Sequence, residues 1–260
     1  MQAPETAARE AVISVAVALL CKWREAAPRV HCITNAVAQN FTANALLAAG
    51  GVPSMTLDPE EIGAFVARAN ALLVNLGTFD AERRKAADIA VKTASERQVP
   101  WVLDPVFVER SGLRAKLARE LIERGPNVVR LNQVEFAALA GREPARANVV
   151  DYARTRGLVV ALSGETDLVT DGTRVCAIGN GHPLMAKVTA MGCAGSALVA
   201  AALAVQTDVF RATAAAMLVV GVAGELAAAK AEGPGSFAAA FLDALYTIDA
   251  PDVSARAKVK

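Results

Sequence analysis

Asp104 closes the apolar run Trp101-Val102-Leu103 and stands directly before Pro105, so a carboxylate leaves a buried stretch at a point where the chain must turn. In that place it either caps the turn or ligates a cation. Asn132 and Glu135, three residues apart, share a face if the segment after Val128-Leu131 is helical. The pair has two readings. It is a reciprocal cap, with Asn132 at the helix start and Glu135 reaching back to its backbone. Or, if Asp104 and Glu135 face one cleft, they are hard oxygen ligands for a magnesium ion carrying nucleotide phosphates. The residues alone leave both open.

The segment Lys187-Val-Thr-Ala-Met-Gly-Cys-Ala-Gly-Ser-Ala197 places small residues at the opening of a long apolar helix. Unpaired amides at such a start, reinforced by the helix dipole, hold an anion such as phosphate, and Gly192 tolerates backbone angles that larger residues avoid. Close packing is the competing use of the same small residues. Cys193 falls in the first turn, where the dipole can lower a thiol pKa and make the residue a base; as an isolated cysteine in an apolar stretch it also reads as a small buried hydrophobe. His31 and His182 have no nucleophile partner at a useful spacing and are given no catalytic role, and Met55 reads first as core filler.

These residues matter only if the chain brings them together, and the hydropathy pattern shows how it does. Short β-type runs at Val30-Ile33, Val52-Thr56, Ala71-Leu76, Trp101-Asp104, Val128-Leu131 and Leu158-Leu162 alternate with helical stretches. Such alternation predicts βαβ units with right-handed crossovers, hence a doubly wound, mostly parallel sheet with helices on both faces. Ligands bind such sheets outside the carboxyl ends of the strands, where Thr34-Asn35, Met55, Gly77-Thr78, Asp104 and Asn132 all fall. Asp167-Thr170 and Arg174-Ile178 flank Asp171-Gly172, a tight-turn dipeptide, so a small antiparallel hairpin is expected next. Helical stretches then run to about Tyr246, interrupted at Gly233-Pro-Gly235, and the residues from Pro251 are expected to fray.

The 260 residues fit one domain, 1–260, and a composition 54% hydrophobic but only 5% aromatic suits helices packed on a buried parallel sheet. With 27 basic and 26 acidic residues mixed along the chain, no field favours a polyanion, so neither nucleic acid nor membrane is an expected partner. Val12, Val15, Leu19 and Trp23 recur with a helical period, which makes Ala11 to Cys21 a helix, not a signal sequence. The alanine-rich runs Ala194 to Val205 and Ala212 to Gly224 are expected to be buried helices shorter than a membrane span. Four cysteines without a CxxC pair point to a reducing, cytoplasmic setting.

Taken together, Val30-His-Cys-Ile-Thr-Asn35, Asn40-Phe-Thr-Ala-Asn44, Asn75-Leu-Gly-Thr78, Leu103-Asp-Pro-Val106, Gly181-His182, Lys187-Val-Thr189, Gly192-Cys193 and Gly233-Pro-Gly-Ser-Phe237 resemble the hydroxyethylthiazole kinase family over nearly the whole chain. The resemblance implies a ribokinase-like α/β fold without a lid. It implies ATP-dependent, Mg²⁺-requiring phosphorylation of the alcohol of 4-methyl-5-(2-hydroxyethyl)thiazole in thiamine salvage, by a homotrimer with active sites between subunits. By position it implies Met55, Asn35 and Ala190 as substrate contacts, Arg130, Ser163 and Gly192 as ATP contacts, Asp104 and Glu135 in the magnesium and phosphate network, and Cys193 as the group that receives the hydroxyl proton.

The chain departs from the family pattern in two loops. Ala190-Met191-Gly192-Cys193 replaces a usual Gly-Ala-Gly-Cys or Gly-Thr-Gly-Cys, and Phe107-Val108-Glu109 replaces a usual Gly-Ala-Gly; the stretch from Glu135 to Leu158 is also short. Two other functions remain compatible with the residues: a ribokinase-like kinase for another small alcohol of hydroxymethylpyrimidine or pyridoxal type, and a sensor that keeps the pocket but transfers no phosphate.

Overall fold

In the computed structural model, which describes residues 2–260, the apolar runs become one sheet. Its strands are β1 (Arg29–Ile33), β2 (Val52–Ser54), β3 (Ala71–Asn75), β4 (Trp101–Asp104), β5 (Val128–Asn132), β6 (Val159–Ser163), β7 (Asp167–Thr170) and β8 (Val175–Ile178). They lie in the order β2-β1-β3-β4-β5-β6-β7-β8. The first six are parallel; β7 and β8 are antiparallel and close through Gly172 in the left-handed region, φ +89°, as the Asp-Gly turn predicts.

Burial on both faces explains why the parallel strands read as unbroken apolar runs. Every residue of β3 is buried; Ala71 and Leu73 point to one core, Leu72 and Val74 to the other. The first core is covered by α1 (Gln2–Ala26), α2 (Gln39–Ala49), and, after β8, α8 (Met191–Leu203), α9 (Val209–Ala228), α10 (Pro234–Thr247) and α11 (Ala250–Arg256). The second is covered by α3 (Ile62–Val66), α4 (Ala81–Arg97), α5 (Gly112–Ile122), α6 (Gln133–Ala140) and α7 (Arg146–Arg156). Among the described residues no inserted subdomain lies over the carboxyl edge of the sheet.

Three expectations need correction. The second strand ends at Ser54, not Thr56, because β2 is the sheet edge and pairs on one side only. The last helices include one, α9, that is long and apolar enough to cross a membrane; 78% of its apolar window is buried inside the protein, against α1, α8 and α10, so it is a core helix. The residues from Pro251 are ordered, because Asp249 and Asp252 form a capping box that starts α11 and the tail then docks on β8. Ile178 bridges Val259, and Ala177 exchanges two backbone hydrogen bonds with Lys260, at 2.8 and 2.9 Å. The free edge of β8 supplies these partners.

Candidate active site

The strand order reverses between β1 and β3, and at that point the carboxyl ends carry a polar cluster in an otherwise apolar sheet. Asn35 follows β1, Asn75 ends β3 and Asp104 ends β4, in register with Asn75. Asn75 Nδ2 donates to Asp104 Oδ2 at 2.8 Å and to Cys193 Sγ at 3.3 Å. Asn35 Nδ2 donates to Asn75 Oδ1 and to the same sulfur, both at 3.3 Å. Ser196, one turn beyond Cys193 on α8, donates its hydroxyl to Asp104 Oδ2 at 2.8 Å. Asn35, Asn75, Asp104 and Ser196 are all buried, and buried amides whose donors are all used leave one rotamer, so the thiol and the carboxylate are held in fixed relation.

The start of α8 opens on this cluster. Ala190, its N-cap, lies in the left-handed region at φ +69°, and Phe107, before the 3-10 turn Val108–Arg110, does so at +58°. Both positions are glycine in the pattern the chain resembles, so the two departures keep the backbone shape while carrying a side chain, at a strain of order 1–2 kcal/mol each. Arg130 on β5 donates from Nη1 to the Gly192 carbonyl at 2.9 Å, and its Nε is buried without an acceptor among the described residues. Arg130, Ser163, Gly192, Asp167 and Asn180 line a cleft of about 760 Å³ with Met217 and Val220 among its apolar lining residues. A guanidinium with an unused buried donor, beside helix amides that have no intrahelical acceptor, is chemistry for a polyphosphate.

Electrostatics sharpen that assignment. Burial raises the Asp104 carboxyl above the usual range against the pull of Arg130, Ser196 and Asn75. Glu135 is also raised, chiefly by burial, with Asp104 and Glu109 adding repulsion against hydrogen bonds from the Asn132 and Phe107 amides. The Asn132 amide donates to Glu135 Oε2 at 2.8 Å and the Glu135 amide to Asn132 Oδ1 at 2.9 Å, which is the predicted capping box; the Phe107 amide donates to Glu135 Oε1 at 3.0 Å, and each Glu135 oxygen keeps a second lone pair. Of the two readings of Cys193, the structure favours the buried one over the acidified thiol. Burial, then the Asp104 charge, pushes its thiol up to about 12 despite the helix start, so it is a neutral thiol at pH 7.

Among the described residues no three His, Cys, Asp or Glu side chains converge to cage an ion. Magnesium, however, keeps several waters and is commonly bound through one or two carboxylates plus substrate phosphates. Asp104 and Glu135 fit that mode. Asp104 has one oxygen without a donor among the described residues, and Glu109 has a buried, unpartnered Oε2 beside them.

The structure thus joins Asn35, Asp104, Cys193, Arg130 and Gly192 through contacts, and sets Ser163 on the same cleft. Met55 is only half-buried against the helical core beyond β2, with no polar link to the cluster among the described residues; Ala190 is tied to it through the α8 backbone. Asn75, quoted only at the head of a matching stretch, and Ser196 were given no role by the sequence. Their signals were an amide ending an all-apolar strand, and a hydroxyl three residues after Cys193 on an apolar helix. His31 is structural: it is buried, its Nδ1 meets Ser54 Oγ at 2.8 Å, and burial lowers its pKa to about 4.

The sequence model of the hydroxyethylthiazole kinase family matches residues 20–251. A probable hydroxyethylthiazole kinase of Agrobacterium fabrum is 44% identical over 255 residues, covering 98% of this chain and 96% of that protein. A hydroxyethylthiazole kinase of Granulibacter bethesdensis is 45% identical over 244 residues, 89% of each chain. The solved hydroxyethylthiazole kinase of Pyrococcus horikoshii superposes with a TM-score of 0.91 at 38% identity, over 94% of this chain and 98% of that one. A pyridoxal kinase of Bacillus subtilis, at 19% identity and a TM-score of 0.58, shares the fold.

Proposed function

Because the chain belongs to the hydroxyethylthiazole kinase family, we propose that it transfers the γ-phosphoryl group of ATP to the primary alcohol of 4-methyl-5-(2-hydroxyethyl)thiazole, a step of thiamine salvage. The carrying observation is the contact chain that runs from the cleft through Arg130 and Gly192 to Asp104, Asn75 and Cys193. The nucleotide lies in the cleft, with its phosphates toward Arg130, Gly192 and the first amides of α8. The alcohol meets them at Asn35 and Cys193, with Met55 and Ala190 completing its pocket. Asp104 and Glu135 would hold Mg²⁺, which when bound neutralises the phosphates.

Phosphoryl transfer through a loose transition state needs positioning and charge stabilisation more than a strong nucleophile. That suits the neutral Cys193: forming its thiolate at pH 7 costs roughly 7 kcal/mol from a pKa of about 12. The sulfur, fixed by two amides, orients the hydroxyl, and the alcohol proton passes late, once the new P–O bond has made it acidic, to an oxygen of the transferred phosphoryl group. We also place three copies together around the β2 side, where Val37, Leu47, Val52 and Phe65 are exposed. The free thiols fit a reducing cytoplasm.

A substrate panel tests this reading. ADP release is expected with ATP, Mg²⁺ and the thiazole alcohol, and at least about tenfold less with hydroxymethylpyrimidine or pyridoxal, the discrimination expected when pocket polar groups lose a partner. Turnover confined to a pyrimidine or pyridine alcohol would reassign the substrate. Binding of the thiazole alcohol with no ADP formed would make the protein a sensor.

A further inference from the structure

The wall of the cleft formed by Gly179, Asn180, Gly181, His182, Pro183 and Met185 lies beyond the end of β8 and so outside the sheet ladder. It is held from outside. Gly179 N donates to the Lys258 carbonyl at 2.8 Å, and Lys258 N donates to Asn180 Oδ1 at 2.7 Å. Asn180 Nδ2 donates to the Arg256 carbonyl at 2.9 Å and to Glu225 Oε1 at 3.0 Å. The same Glu225 oxygen accepts from Gly181 N at 3.2 Å and from Lys258 Nζ at 2.9 Å. One carboxylate oxygen therefore ties together the cleft wall and the C-terminal tail, and Asn180 is buried in the joint.

Glu225 sits on α9, the helix that supplies Met217 and Val220 to the cleft. One face of that helix is cut away to receive the wall. A Cβ on Gly221 would lie 2.7 Å from Asn180 Cβ, and one on Gly224 would lie 2.5 Å from Met185 Sδ. We infer that Ala257–Lys260 and Glu225 form a strap that sets the position of this wall for nucleotide binding, with Glu225 as a positioning residue. The inference rests on the nucleotide reading of the cleft. Neither Glu225 nor the tail touches Asn35, Asn75, Asp104 or Cys193 among the described contacts, so the strap governs how tightly ATP is held and leaves the transfer step to others.

The test compares the full chain with a chain ending at Arg256 and with Glu225→Ala and Glu225→Gln. Calorimetry gives the Kd for ATP; steady-state kinetics give kcat and both KM values. The truncated chain and Glu225→Ala are expected to raise the ATP Kd and KM by about tenfold, the factor carried by loss of one hydrogen bond to a charged group. Glu225→Gln, which keeps an acceptor but loses the Lys258 ion pair, falls between. The KM for the thiazole alcohol and kcat stay within about twofold throughout, on the footing that uniform loss of ground-state binding moves KM alone. An unchanged ATP Kd in the folded variants overturns the strap, as does an equal rise in both KM values. If the truncated chain does not fold, Glu225→Gln decides by the same criterion. If the full chain binds no ATP, the cleft reading itself fails and the strap with it; normal binding by the full chain and all variants removes the strap alone.

Discussion

Asp104→Ala is expected to lower kcat by at least about 10³-fold while Cys193→Ala lowers it by about 10–10²-fold. Two facts set the order. Asp104 is the buried carboxylate on which Asn75, Ser196 and the Arg130 field converge, and charge stabilisation at a transferring phosphoryl group is the larger part of such catalysis. Loss of a single well-placed stabilising group commonly costs about 10²–10³ in kcat, and here the Arg130 charge also loses a nearby opposite charge. Cys193 is a neutral thiol with its pKa pushed up to about 12, so it contributes less than the 10²–10⁴ of a working general base. For the same reason kcat should show no rising limb near pH 8.5, where an ordinary thiol ionises. Asp104→Asn, which keeps the shape and the donors' partner, separates the lost charge from a lost fold when paired with an unfolding curve. Equal and complete loss in the Asp104 and Cys193 variants would refute this division of labour.

The second large effect is expected at Arg130. Arg130→Met should lower kcat/KM for ATP by about 10³-fold, through weaker nucleotide binding and a slower transfer step together. Arg130 is the positive charge that favours the ionised form of both Asp104 and Asp167 against their burial, and its Nη1 also anchors the Gly192 carbonyl at the start of α8. Arg130→Lys should be at most about tenfold better than Arg130→Met, leaving about a 10²-fold deficit, since a point charge cannot reproduce a planar fork that meets Gly192 and a phosphate at once. Kinetics at varied ATP and fixed thiazole alcohol measure both. A variant with normal kcat/KM for ATP would show that the nucleotide lies elsewhere.

Most of the scaffold was legible because its signals are local. Apolar runs of strand length, the Asp171-Gly172 turn and the helical period of Val12, Val15, Leu19 and Trp23 each reappear as the element they predict. The strand-end rule also found Asn35 and Asp104 before any contact was known. Most of what escaped depends on tertiary context. The Asp249–Asp252 capping box that starts α11 is a local signal that the expectation of fraying passed over, whereas the last residues dock because β8 offers an unpaired edge and Glu225 a carboxylate, neither of which leaves a mark in the tail's own sequence. The sequence left Cys193 either a thiol acidified by the helix start or a small buried hydrophobe; desolvation is a property of what surrounds the helix, and here it outweighs the dipole. The Asn132–Glu135 spacing fits a cap and a ligand equally because the same carboxylate can serve both uses. Ala190 and Phe107 show the reverse case. Their left-handed backbones are foreshadowed by the glycines that the family pattern places there.

The central claim is that one groove holds the triphosphate between the Arg130 side and the Asp104 side of the α8 start. A crystal structure of the protein with magnesium, a non-hydrolysable ATP analogue and the thiazole alcohol tests it most directly. The account predicts the γ-phosphate against the first amides of α8, the cation between it and Asp104, and the alcohol oxygen beside Cys193. Phosphates bound away from Arg130 and Gly192, or an alcohol remote from Cys193, would contradict it.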